Sequence, residues 1–263
     1  FKISERMVLT GNDTKVLKAG DPEPPLAPGT ARIYSMRFCP WAERVVLYAA
    51  AKGIDAEVVN IDLHSQPEWY KEKKHPKGQV PCFEKDGKIV IESGIIPEYL
   101  DGIYPDSAIL PVDPFERAQQ RLVMEQFQPF WMTFYGLFVI VKEQLEGEAR
   151  QAKFRALEGV IDNVEKSVLK HEYFGGSAPG FSDWMLFPFI ERLALFSKFL
   201  DPPTPFPSED RWPKLNAWWS RISSVPAVQP YIQPEDVHVK FLEAYKAVKE
   251  YKDAKPDYDM GLH

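Results

Sequence analysis

The segment Tyr34-Ser35-Met36-Arg37-Phe38-Cys39-Pro40-Trp41-Ala42-Glu43-Arg44 constrains the fold more than any other part of the chain. An apolar strand over 31–36 gives way at once to a helix over 41–52. Pro40 suits the first helical position, where a missing N–H costs nothing. Cys39 then stands at the mouth of the helix, facing its unpaired N–H groups. Those groups and the helix dipole favour an anion, so the segment predicts a thiolate with a lowered pKa. A thiolate that attacks and leaves easily is a redox or transfer catalyst. The plainer alternative is a buried structural Cys. Ala42 stands where a Cys-x-x-Cys motif would carry a resolving thiol, so a mixed disulfide at Cys39 must be released by an external thiol.

The helix closes on Lys52 and Gly53, a basic last turn followed by a C-cap glycine. A strand over 56–61 and a short helix over 67–74 come next. Strands over 80–84 and 88–91 flank Asp86-Gly87, a hairpin signal, and Ser93 is expected to cap a helix running to about Tyr104. Residues 105–114 carry Pro105, Pro111 and Pro114 and read as a linker. Apolar residues recur at helical spacing over 115–145, 149–169 and 184–199, with further amphipathic segments over 215–223 and 237–251 and a Pro-rich loop over 201–213. The expected fold class is α/β plus all-α. It comprises a Pro-rich extension over 1–30, an α/β domain over 31–104, the linker, and an all-helical domain over 115–263. Within the extension, 21–29 should be extended or irregular and lie on the surface.

The net charge is −6 and no long basic run occurs, which argues against nucleic acid as a partner. Cys39 and Cys82 are the only cysteines; they exclude a disulfide framework and suit a reducing compartment. Phe1 to Arg6 lack the apolar core of a secretory leader, and the chain opens on Phe1, so residues ahead of it are expected. The apolar run over 130–141 is too short to cross a bilayer and reads as a buried helix. His64, His75, His171, His238 and His263 show no metal-ligand spacing, and no P-loop, dinucleotide fingerprint or nucleophile elbow is found.

Two further pieces converge on Cys39. Val80-Pro81 opens a strand with a residue that cannot donate to the ladder; a cis peptide there would turn the chain and leave the Val80 backbone groups to pair with an extended peptide. The alternative is an ordinary trans Pro at a strand edge. Glu92-Ser93 precedes a helix, where a hydroxyl and N–H groups suit a carboxylate and Glu92 suits an ammonium. Ser before a helix is otherwise only a cap.

Together these pieces resemble the glutathione site of cytosolic glutathione transferases. Arg32-Ile33-Tyr34-Ser35-Met36-Arg37-Phe38-Cys39-Pro40 is especially similar to the omega class, as are Pro67-Glu68-Trp69, Glu98-Tyr99-Leu100-Asp101, Phe174-Gly175-Gly176 and the Pro-rich extension. The resemblance covers nearly the whole chain. It implies a thioredoxin-like domain, a helical domain, a cytoplasmic homodimer and glutathione as cosubstrate, without a metal. It implies that Cys39 forms a mixed disulfide with glutathione which a second glutathione releases, in thiol transfer, dehydroascorbate reduction and detoxification. By the same resemblance, Val80 pairs with the cysteinyl part of glutathione, Glu92 and Ser93 hold the γ-glutamyl group, and Phe38 and Leu63 line the thiol. Gln66 departs from the family pattern, which carries Lys near the glycyl carboxylate; Lys73 or Lys74 is the candidate to compensate, and the plainer reading of both is a solvated helix face. Gly180 departs too, where Ser or Thr often opens the helix that contains Asp183.

Cys82 follows Pro81 and is a possible second thiol opposite Cys39; the plainer reading is a buried small hydrophobe. The acceptor pocket is expected from the helical domain, with Phe130, Tyr135 and Trp218 as candidates, and with Arg121 and Arg192 either binding anions or pairing with carboxylates. Two other functions compete with thiol transfer. One is a non-catalytic binding or structural protein of the same fold; the other is conventional conjugation of glutathione to electrophiles. Retention of Cys39, Val80-Pro81 and Glu92-Ser93 as a set separates the first, and the nucleophilic Cys39 argues against the second.

Overall fold

The computed structural model describes residues 9–11, 13–143, 145–196, 206 and 208–247. Residues 1–8 of the expected extension, positions 201–205 and 207 of the Pro-rich loop, the helix ends expected at 197–199 and 248–251, and His263 lie outside the described residues.

The chain divides into two compact units, bounded as Phe1–Ile109 plus Val225–His263 and as Leu110–Ser224. The first holds β1 (Leu9–Thr10), β2 (Ala31–Ser35), α1 (Pro40–Lys52), β3 (Ala56–Asn60), α2 (Glu68–Lys73), β4 (Cys82–Lys85), β5 (Lys88–Ile91) and α3 (Ile96–Ile103). Among the described residues these strands form one sheet in the order β1-β3-β2-β4-β5. The strand β2 is buried along its whole length, which fits its central place. It pairs in parallel with β3 through the α1 crossover and antiparallel with β4. Its Tyr34 thereby stands between Val59 and Cys82. The hairpin turns at Asp86 (φ 50°) and Gly87 (φ 72°), a pair of left-handed residues that matches the twist of the strands. This is the expected thioredoxin-like order, with α1 closed by Gly53 in the left-handed region.

The extension is tied down rather than loose. Leu9 pairs with Ala56 at the outer edge of β3, a strand that sequence patterning does not reveal. The buried Arg32 guanidinium donates to the carbonyls of Pro24 (2.8 Å) and Pro25 (2.7 Å), and Trp69 donates to that of Asp21 (2.9 Å). Beneath α2, the Tyr34 hydroxyl donates to Glu84 at 2.6 Å, and Lys74 Nζ lies 2.7 Å from Glu84 and 2.9 Å from Glu23. Burial and the Glu84 charge push the Tyr34 phenol up. Burial works against the Lys74 charge, yet Glu84 and Glu23 hold its pKa above the ordinary value.

The helix expected at Ser93 begins at Ile96 instead. The Glu92 carbonyl accepts from Ile96 N–H at 3.0 Å, but Pro97 has no N–H to give to Ser93, so the ladder is interrupted at its first step. A larger difference concerns α9 (Glu235–Ala247), expected in the helical domain. It belongs to the first unit, where Val237 and Phe241 join the cluster of Phe38, Trp69, Tyr70 and Val80. Its amphipathic face needs an apolar partner and finds it beside the Cys39 loop.

The second unit contains α4 (Pro114–Gln126), α5 (Gln128–Glu143), α6 (Gly147–Asn163), a π-helical turn over Val164–Val168, α7 (Phe181–Phe196) and α8 (Pro213–Ser223). The segment expected as helical over 115–145 is broken at Phe127, two residues before Pro129. Asp113 caps α4 by accepting from Glu116 N–H at 2.9 Å. The helix α7 is apolar nearly all round and forms the centre of this unit. Its Asp183 is wholly buried and accepts from the N–H groups of Phe174 (2.9 Å), Gly175 (2.7 Å) and Gly180 (2.8 Å) and from Trp218 Nε1 (2.7 Å). The departure at Gly180 has a steric cause. A Cβ there would stand 2.8 Å from Gly175 Cα and 2.9 Å from Gln120 Oε1, so Ser or Thr does not fit.

Candidate functional site

Cys39 is the N-cap of α1, with extended backbone (φ −82°, ψ 114°) and Pro40 immediately inside the helix. Its N–H donates to the Met36 carbonyl at 2.8 Å and its carbonyl accepts from Glu43 at 3.0 Å, so the β2–α1 turn holds the residue from both sides. The thiol is in no disulfide and is partly exposed at the end of the helix where N–H groups converge. Phe38 is buried beside it. Its ring stacks on Phe241 (4.1 Å between centroids, 9° between planes) and meets His238 edge-on at 5.5 Å. Leu63 packs against the same cluster. The two α9 residues were not legible as site neighbours, because amphipathicity shows that a helix packs but not where.

The Val80–Pro81 peptide is cis, as the sequence context favours, and Val80 is buried in the cluster around Cys39. The approach to it is pinned twice. Tyr70 donates its hydroxyl to the Gln79 carbonyl at 2.7 Å, and the Gln66 carboxamide donates to the Gly78 carbonyl. Gly78 sits at φ 62°, in the left-handed region that favours glycine. Gln66 is thus tied to its own chain. Neither lysine offered as compensation fits that role: Lys74 is buried against Glu84 and Glu23, and Lys73 pairs with Glu23 at 3.0 Å.

Glu92 is exposed and carries φ 77°, in the left-handed region that a non-glycine residue seldom adopts. Such strain persists where surrounding structure imposes it, often at a ligand site. Ser93 is 7% exposed, and its hydroxyl accepts from Arg44 Nη1 at 3.2 Å. Sequence reasoning missed Arg44, and a basic residue one turn into a helix gives no signal by itself. The other end of α1 is fixed as well, through Lys52 Nζ and Tyr48 Oη, which lie 2.7 and 2.8 Å from the Asp101 carboxylate on α3.

Family models for the glutathione S-transferase N-terminal domain and C-terminal domain match residues 29–102 and 147–219. The chain is 41% identical over 261 residues to glutathione transferase omega-1 of Caenorhabditis elegans, covering 97% of this chain and 100% of that one. It is 33% identical to glutathione S-transferase omega-2 of Homo sapiens over 259 residues, with 97% and 100% covered. The chain belongs to the omega class of glutathione transferases. Among solved structures, the fold is shared with glutathione transferase Omega 2C of Trametes versicolor (TM-score 0.65, 21% identity, 84% of this chain and 100% of that one). Rice GST1, solved in complex with glutathione, has a TM-score of 0.72 at 22% identity, with 85% and 100% covered.

In this omega-class chain Cys82 does not resemble a working thiol. It is wholly buried on β4, 3.8 Å from the Lys74 carbonyl, and burial followed by the Glu84 charge pushes its pKa up to about 12. The buried-hydrophobe reading is the one this supports. Ellman's reagent at pH 8 is therefore expected to titrate one thiol per native chain and two in guanidinium. Two reacting thiols in the native chain would contradict the burial of Cys82.

Two of the three aromatic candidates for the acceptor pocket are core residues. Phe130 is wholly buried among Phe127, Trp131 and Phe134, and Trp218 is wholly buried against Phe174 with its N–H on Asp183. Aromatic residues at helical spacing fill cores first, and these obey that rule. Tyr135, at 52% exposed, can touch a solute. Arg192 is buried and paired with Glu191, so of the two arginines Arg121 alone is exposed. Among the described residues no helix is long and apolar enough to cross a membrane.

Proposed function

We propose that this glutathione transferase is a Cys39-dependent thiol transferase and dehydroascorbate reductase. The observation that carries the reading is a partly exposed thiol at the helix N-cap with Ala42 in the resolving position and Cys82 buried. The Cys39 thiolate attacks the glutathionyl sulfur of a mixed disulfide. A bond forms between the two sulfurs as the acceptor leaves as a thiolate and takes a proton. A second glutathione thiolate attacks the same sulfur, giving glutathione disulfide and restoring Cys39. With dehydroascorbate, two glutathione molecules supply the two electrons and two protons, and ascorbate and glutathione disulfide leave.

In this reading the cis peptide presents the Val80 backbone to the cysteinyl part of glutathione, as an added strand would be held. Glu92 and Ser93 take the γ-glutamyl amine and carboxylate, Phe38 and Leu63 flank the sulfur, and Gln66 meets the glycyl end without a charge. The reading also makes the protein a cytoplasmic homodimer. Phe115, 71% exposed, and Leu122 on the same face of α4 suit such an interface, and sedimentation at micromolar concentration checks it.

Intact mass after incubation with oxidised glutathione tests the cycle. One glutathione adduct per chain, cleared by reduced glutathione, is the expected result. An unmodified native chain overturns the mechanism and leaves the non-catalytic reading. A loss of two mass units would instead mean a Cys39–Cys82 disulfide and a redox switch.

A further inference from the structure

From the Arg44–Ser93 contact we infer that Arg44 is a positioning residue for the γ-glutamyl carboxylate of glutathione, acting through the Ser93 hydroxyl; this rests on the function proposed above. Arg44 lies one turn into α1, 4% exposed, with its guanidinium carbon 4.5 Å above the Trp41 ring. Its Nη1 donates to Ser93 Oγ at 3.2 Å. A guanidinium has donors only, so in this contact the serine oxygen must accept. The Ser93 proton is then left to be given elsewhere, and a neighbouring positive charge strengthens what it gives. An incoming carboxylate is the acceptor that such a hydroxyl suits best. The same contact joins the helix whose N-cap is Cys39 to the turn whose Glu92 is held at φ 77°. Arg44 therefore ties the helix that carries the reacting sulfur to the head-group subsite at this end.

The test compares kcat/KM for glutathione with kcat/KM for cysteinylglycine, which lacks the γ-glutamyl carboxylate, as the reducing thiol. In Arg44→Met the ratio is expected to fall about tenfold, the size of a lost charge-assisted hydrogen bond. Ser93→Ala should lower it by a similar factor, and the double variant should fall no further than either. Arg44→Lys, which keeps a charged donor, should lie between the native chain and Arg44→Met; it also serves if the methionine variant folds poorly. A merely structural role lowers both rates together and leaves the ratio unchanged, which would overturn the inference. So would Arg44 and Ser93 losses that multiply in the double variant. If the native chain shows no preference for glutathione over cysteinylglycine, the underlying function fails as well, and the two failures are distinguishable.

Discussion

Cys39→Ser, assayed for reduction of a glutathione mixed disulfide, is expected to lose turnover by about three orders of magnitude or more. The two side chains differ by one atom, and Pro40 and the turn bonds to Met36 and Glu43 involve only backbone. The fold is therefore retained. What is lost is chemical. A hydroxyl at the helix N-cap remains almost wholly protonated near neutral pH, and an oxygen cannot form the disulfide on which both half-reactions depend. Steady-state turnover with reduced glutathione measures this, with circular dichroism as the check on folding. A variant within tenfold of the native rate would show that glutathione itself is the nucleophile and that conventional conjugation is the better description. Ser in place of Cys is a sharper probe here than Ala, because it can still orient a bound thiol by hydrogen bonding.

The largest stability effect is expected at Asp183. Asp183→Ala should cost about 4 kcal/mol at pH 7, because it strands the buried donors of Phe174, Gly175, Gly180 and Trp218 that the carboxylate satisfies. Burial pushes the Asp183 pKa from 3.8 up to about 6, and the hydrogen bonds from Gly180, Trp218, Phe174 and Gly175 hold it from rising further. Between those values the folded chain keeps a proton that the unfolded chain has released. The stability this group supplies is fully present below about pH 4 and declines as the pH rises through 6, by about 3 kcal/mol in all. The difference between native and Asp183→Ala chains should therefore be larger at pH 4 than at pH 7. Urea unfolding at both values measures it. A difference that grows with pH would mean that the four hydrogen-bond donors outweigh the cost of burying the charge.

The elements most legible in the sequence are those whose chemistry is local. Asp86-Gly87 announces its turn because few other pairs tolerate two left-handed residues, and Gly53 announces the end of α1 for the same reason. Cys39-Pro40 could be placed at a helix mouth because proline is confined to so few helical positions. Non-local facts were hidden. Leu9–Thr10 is a strand only because the edge of β3 is there to receive it. The face of α9 looks like that of any amphipathic helix, and nothing in its own residues points to Phe38. Phe130 and Trp218 carry the same large rings that line pockets, and only their complete burial separates the two uses. Ser93 misled in a different way. Its identity fits a cap, but Pro97, four residues on, decides where the helix begins.

The stitched extension bears on how this protein can be cut and fused. The family match begins at residue 29, and an expression boundary drawn there would look safe. It would remove the Pro24, Pro25 and Asp21 carbonyls, leaving the donors of Arg32 and Trp69 without those acceptors, and would bare the outer edge of β3. A bare parallel edge recruits strands from neighbouring molecules. Engineered versions should keep the leading residues, and a tag belongs ahead of them, so that Leu9 remains available to shield the sheet from self-association.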